Sequence, residues 1–249
     1  SKAFGMNAET LPTTADNTDI YRTMYRTLFG IEPEQAAQNN VDSEPDAVNL
    51  NFGSTGDDIF DSDPDGTADL IFAGAANDIV DTSASSIGQN RAYGGDGNDE
   101  LVVSTRDRAF GGAGNDILEA TLSNGNNRLY GGAGDDDFFN GNDDRLVGDT
   151  GSDRFFLGEE SGASVVTGGA DADQFWIANA GIPSAANTIT DFTSGEDVLG
   201  VAGIGASFES LDISQNGDNA AIAFGGDDLA ILLGVDSAAL TNNDFVFVN

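Results

Sequence analysis

Seven aspartates recur at nearly equal intervals. Asp58, Asp78, Asp99, Asp116, Asp136, Asp153 and Asp173 close the segments GSTGDD (53–58), AGAAND (73–78), GGDGND (94–99), GGAGND (111–116), GGAGDD (131–136), GDTGSD (148–153) and GGADAD (168–173). The spacings are 20, 21, 17, 20, 17 and 20 residues. A carboxylate that returns once per repeat is a hard oxygen ligand. The glycines before it expose backbone carbonyls, which are oxygen ligands too. Ca²⁺ takes about 6–8 oxygens of both kinds, whereas Mg²⁺ demands a tight octahedron and keeps its waters. The pattern therefore points to calcium rather than to magnesium.

The elements that must position these residues follow from the same period. Two residues after each Asp stands Phe60, Val80, Leu101, Leu118, Phe138, Phe155 or Phe175. All are apolar, so this position is predicted to face inward on a strand. Between the strong segments lies a weaker half-repeat, GQNRAYGG (88–95), TRDRAFGG (105–112), GNNRLYGG (125–132) and NDDRLVGD (142–149). Its inward position is Ile71, Ala92, Ala109, Leu129, Leu146 or Val166, and it carries Asp69, Asn90, Asp107, Asn127, Asp144 and Ser164 where the strong half carries Asp. Turn, strand, turn, strand in about 20 residues describes one coil of a flattened solenoid, which buries its inner face only by stacking on its neighbours.

Stacking in register sets equivalent carboxylates about 5 Å apart. Each neighbouring pair then repels by about 1 kcal/mol in water, and by about 3–4 at an effective dielectric of 20. A divalent cation between coils reverses the sign. The candidate ligands are the seven Asp side chains and the carbonyls of the first four positions. These are Gly53 and Gly56; Gly74; Gly94, Gly95, Asp96 and Gly97; Gly111, Gly112, Ala113 and Gly114; Gly131, Gly132, Ala133 and Gly134; Gly148, Asp149, Thr150 and Gly151; and Gly168, Gly169, Ala170 and Asp171. Seven turns leave about six gaps, so about five or six Ca²⁺ are expected on the strong side, and few or none on the weak side.

Composition narrows the rest. The 249 residues hold 43 acidic and 9 basic side chains, a net charge of −34, with no Cys and no His. Such a surface excludes nucleic acid as a default partner and disfavours anionic membranes. Thiol chemistry, disulfides, Cys or His zinc sites and Ser-His-Asp triads are excluded. No apolar run approaches a membrane span. No catalytic role is expected of this chain: only paired carboxylates could serve, and Glu159, Glu160 and Glu209, which stand outside the repeat, show no partner pattern. There is no N-terminal apolar targeting segment, and the start at Ser1 suits a mature form or a fragment.

The strong segments resemble the repeat-in-toxin nonapeptide G-G-x-G-x-D-x-U-x, a calcium-binding β-helix signature. The copies at 94–99, 111–116 and 131–136 match its first six positions in full, and the resemblance covers roughly residues 50–180. It implies an all-β, right-handed parallel β-roll of about seven coils whose turns bind Ca²⁺. In the family both turn columns often bind, a point at which this sequence departs. NTITDFTSGEDVLGV resembles the segment that closes the roll in such proteins, with Asp191 and Asp197 as candidates for a further ion. The terminal DFVFVN looks like the uncleaved signal of type I secretion substrates, or a last strand.

Residues 1–48 lack the repeat. They are read as a helical N-terminal cap or linker, with a helix over Asp19 to Leu28 and a second opening at Pro33. Residues 49–185 form the roll, and 186–249 an antiparallel β cap. Arg91, Arg108, Arg128 and Arg145 form one outward column, and Tyr93, Phe110, Tyr130 and Val147 another. They either recognise an anionic or carbohydrate partner, by Arg contacts and stacking, or offset nearby acids and pack under a flanking segment. The expected whole is a secreted or cell-surface calcium-binding module that folds on extracellular Ca²⁺ and uses the type I secretion machinery. The alternatives are a surface-layer or adhesion protein, with a glycan-binding or self-associating face, and the tail of a secreted hydrolase.

Overall fold

In the computed structural model, residues 48–61, 67–158 and 161–248 are described. The helices expected within residues 1–47, and Glu159 and Glu160, lie outside them. Twenty strands occur among the described residues. The first eight are β1 (Val48–Phe52), β2 (Ile59–Asp61), β3 (Ala68–Ala75), β4 (Ile79–Asp81), β5 (Arg91–Asp96), β6 (Glu100–Val102), β7 (Arg108–Ala113) and β8 (Ile117–Glu119). Then come β9 (Arg128–Ala133), β10 (Asp137–Phe139), β11 (Arg145–Thr150), β12 (Arg154–Phe156), β13 (Val165–Ala170) and β14 (Gln174–Ala178). The last six are β15 (Asn187–Ile189), β16 (Val198–Ala202), β17 (Asp212–Asn216), β18 (Asn219–Phe224), β19 (Asp227–Leu232) and β20 (Phe245–Val248).

Odd and even strands sort into two sheets, β1-β3-β5-β7-β9-β11-β13-β15-β19-β18-β17 and β2-β4-β6-β8-β10-β12-β14-β16-β20. Neighbours from β1 to β16 pair in parallel, so the chain forms a parallel β-solenoid of about seven turns. The core is the seam between the sheets. From the odd strands Ile71, Ala92, Ala109, Leu129, Leu146 and Val166 point into it, and from the even strands Val80, Leu101, Leu118, Phe138, Phe155 and Phe175, all buried. Residue size changes along it: Ala92 and Ala109 lie toward one end, and the stacked Phe138, Phe155 and Phe175 toward the other. Phe60 is only half-buried, because β2 is the edge strand of its sheet.

Past β16 the pairing changes. β19 adds in parallel to β15, then β18 and β17 fold back antiparallel. β20 adds in parallel to β16, so the last described residues form an edge strand of the even sheet. Asp244 ties this segment down. Its carboxylate accepts from Ser194 Oγ, the Gly195 amide, and the amide and hydroxyl of Thr241. Burial works to raise its pKa, but these donors outweigh burial and lower it.

Candidate metal centre

Each strong segment links the end of an odd strand to the start of an even one, so the seven turns stack along one edge of the solenoid. There the aspartates form a ladder. The Asp78, Asp99, Asp116, Asp136, Asp153 and Asp173 Oδ1 atoms each accept the backbone amide of the preceding coil's aspartate, at 2.8–2.9 Å. Asp197 adds a further rung, accepting the Asp173 amide at 3.0 Å. One oxygen of each carboxylate thus sets the coil register.

The other oxygen decides the chemistry. Oδ2 of Asp78, Asp99, Asp116, Asp136 and Asp153 is buried with no hydrogen-bond partner. Such an oxygen is costly unless something positive reaches it. Those of Asp99, Asp116, Asp136 and Asp153 each lie against the first glycine of their own segment, a position that Ala73 takes in the segment of Asp78. A Cβ built on Gly94 would overlap Asp99 Oδ2 and come within 2.7 Å of the Gly111 carbonyl. On Gly111 it would overlap Asp116 Oδ2 and meet the Gly131 carbonyl at 2.8 Å. Gly148 repeats both contacts, with Asp153 Oδ2 and the Gly168 carbonyl, while Gly131 and Gly168 abut Asp136 and Asp173 Oδ2 together with the rings of Phe138 and Phe175. A carboxylate oxygen from one coil and a carbonyl from the next therefore converge on a space only glycine leaves open.

The remaining positions supply more oxygens. Gly95, Gly112, Gly132 and Gly169 have φ of 120–124°, and Gly97, Gly114, Gly134 and Gly151 of 123–136°, where side chains are strained. Asp149, Asp171 and Ala76 adopt φ of 86°, 77° and 79° at those positions, forced by the stack. The third-position carbonyls of Ala113, Ala133 and Thr150 accept the amides of Gly97, Gly114 and Gly134, and each keeps a second lone pair. The side chains of Asp96, Thr150 and Asp171 are exposed. No group of three acids gathers among the described residues. The donor set is thus at most two carboxylates per gap plus carbonyls, an all-oxygen set that suits Ca²⁺.

Burial is the main reason the ladder carboxylates resist ionisation, with repulsion from neighbouring acids adding to it. Asp78, Asp99 and Asp136 are pushed up to about 6, Asp116 and Asp173 to about 7, and Asp153 to about 8.

The ends of the ladder differ. In 53–58, Ser54 replaces the second glycine, and its amide and hydroxyl occupy Asp58 Oδ2. Gly53 is packed like the other first positions, but Gly56 is exposed and outside the stack. At the far end Asp197 Oδ2 accepts from the Thr193 amide, and Asp191 holds the Gly168 and Gly169 amides. A second, exposed ladder was not anticipated. The side chains of Asp57, Asn77, Asn98, Asn115 and Asp135 each accept the amide one position before the next coil's Asp. The recurrent Asn or Asp at the fifth position of the segment was its signal.

Residues 81–105, 103–124, 110–144 and 140–159 match the model of the RTX calcium-binding nonapeptide repeat. Residues 81–159 are thus similar to an RTX repeat array. The solved extracellular lipase LipA from Serratia marcescens is similar to 79% of this chain and 40% of the lipase chain, at 18% identity and a TM-score of 0.28. The similarity therefore spans less than half the lipase. No curated protein matches the chain. The match covers the turns of Asp99, Asp116, Asp136 and Asp153, four of the five with a partnerless Oδ2. The stacked turns continue on both sides of it, to Asp78 and to Asp173.

Proposed function

We propose that this chain is the calcium-folded structural module of a type I secreted or cell-surface protein, without a catalytic role of its own. The observation that carries the reading is the row of buried, partnerless Asp Oδ2 atoms, of which those of Asp99, Asp116 and Asp153 each stand beside a glycine cradle that a carbonyl of the next coil also enters. Without a cation the ladder sets carboxylates against each other in a poorly solvated seam. With Ca²⁺ between coils, the same oxygens join one coil to the next.

About five ions suit the five partnerless Oδ2 atoms of the strong turns, since Ser54 occupies Asp58 Oδ2. Ligands must be deprotonated to bind, so metal binding and folding are one equilibrium. At low intracellular Ca²⁺ the chain would stay open for export. At about 10⁻⁴–10⁻³ M outside it would close into the roll.

The test is far-UV circular dichroism during a Ca²⁺ titration, with Mg²⁺ as control. A cooperative gain of β signal with Ca²⁺ alone, reversed by chelator, is expected. A fully folded spectrum in chelator would overturn the folding switch.

A further inference from the structure

The outward face of the odd sheet carries an unusual distribution of charge. Arg91, Arg108, Arg128 and Arg145 are direct cross-strand neighbours in β5, β7, β9 and β11. Arg106 lies in the turn before β7. These five are more than half of the chain's nine basic residues, on a molecule of net charge −34. All are exposed, and none makes an ion pair among the described residues.

Acids are abundant enough to pair them. The even sheet shows what pairing looks like: Arg154 grips Asp137 through Nε at 2.6 Å and through Nη2. On the odd sheet the carboxylate that lines a cavity with the arginines, Asp107, is turned inward and taken up by Thr82, Ser104 and Asn90. Like charges about 4.7–4.9 Å apart across parallel strands repel. Here they line an open cavity of about 350 Å³ formed by Gln89, Arg91, Arg106, Arg108, Asn126 and Arg128 with Asp107.

We infer that this arginine row is a binding strip for a linear acidic polysaccharide lying along the solenoid axis, its carboxylate or sulfate groups meeting successive guanidinium forks. The row repeats once per coil, so it fits a polymer with recurring charges better than a single anion. Guanidinium binds such oxyanions in paired hydrogen bonds.

The aromatic column beside it narrows the class. Tyr93, Phe110 and Tyr130 stack on one another with centroids 4.7 and 4.9 Å apart and planes within 4°. Their faces are spent on each other and only their edges flank the strip. Sugar stacking, one of the alternatives the sequence left open, is therefore unavailable here. So are the ring platforms on which single-stranded nucleic acids lay their bases. Recognition rests on charge.

The test uses the full chain in saturating Ca²⁺, with short hyaluronate and chondroitin sulfate oligomers as probes and neutral dextran as control. Binding by isothermal titration should be confined to the acidic oligomers and weaken as salt rises. Arg108→Ser with Arg128→Ser should weaken it about tenfold or more, since each removes a charge-assisted contact. Arg154→Ser, on the opposite sheet, should leave it unchanged. Circular dichroism of each variant separates lost binding from lost folding, and hence this inference from the calcium reading. Equal binding by the double variant, no binding by the folded wild type, or tighter binding of single-stranded DNA would each overturn the proposal.

Discussion

The two edges of the solenoid solve the same problem differently. On the RTX edge every rung from Asp58 to Asp173 is an aspartate, and five buried Oδ2 atoms have no partner. On the opposite edge the rungs are Asn90, Asp107, Asn127, Asp144, Ser164 and Asn187, again passing a side-chain oxygen to the preceding coil's amide. There the second oxygens of Asp107 and Asp144 are employed. Asp107 Oδ2 accepts from Thr82 Oγ1, the Ser104 amide and Asn90 Nδ2. Asp144 Oδ2 accepts from the Gly141 amide. Asn donates as well as accepts, so alternating it with Asp closes the ladder without a cation. One edge leaves a row of carboxylate oxygens open to the proposed ions, and the other takes up its Asp107 and Asp144 with its own donors.

Loop length follows the same division. Eight positions separate Arg91 from Asp99, Arg108 from Asp116, Arg128 from Asp136, Arg145 from Asp153 and Val165 from Asp173. The next odd strand, however, begins nine residues after Asp99 and Asp136 but twelve after Asp116 and Asp153. The alternation of 17 and 20 therefore lies wholly on the edge of Asp107 and Asp144. Cradles that must superimpose to share a cation cannot change length, whereas turns closed by their own side chains can.

Exchanging the chemistry of the two edges is the strongest way to break this comparison. Asp116→Asn with Asp136→Asn should raise the Ca²⁺ midpoint of folding by about two orders of magnitude, because a charged ligand is lost from adjacent gaps. The same variant should be no less folded than wild type in chelator. An unchanged midpoint in the titration would mean that these carboxylates are not ligands.

Asp107→Ala on the other edge should act without regard to metal. It strands the Asn90 amide and Asn90 Nδ2 and leaves Thr82 Oγ1 and the Ser104 amide only their longer bonds, to the Val102 carbonyl and to Thr82 Oγ1, at a cost of about 2–3 kcal/mol. Urea unfolding should show that loss in saturating Ca²⁺, with the number of ions bound per chain by calorimetry unaltered.

The smallest effect expected is that of pH on the metal-free chain. The RTX aspartates rise from an ordinary carboxylate value to about 6–8 in the fold. Between those limits the folded chain binds more protons than the unfolded one, so stability falls as pH rises. In chelator, β signal should therefore grow on acidification from pH 8 toward pH 5. The Ca²⁺ midpoint should move the opposite way, to higher concentration, as protons compete. A β signal in chelator that is flat across this range would show that the ladder carboxylates are solvated.

Much of this was legible in the chain before folding. The phase of Asp58 to Asp173, with an apolar residue two positions on, set the strand order, the inward faces and the calcium-binding edge, because a parallel solenoid maps sequence period directly onto spatial neighbours. Asn, Ser and Asp at the weaker half-repeat signalled that this edge differs. What the sequence could not contain was the fate of each oxygen. That Ser54 occupies Asp58, that Thr193 occupies Asp197, and that Asp99 is left partnerless depend on which donors the stacked coils bring within reach. The arginine column was visible as a spacing. That its members lack acids, and that the aromatic rings beside them have no free faces, was decided by packing between coils, a tertiary property with no counterpart along one strand.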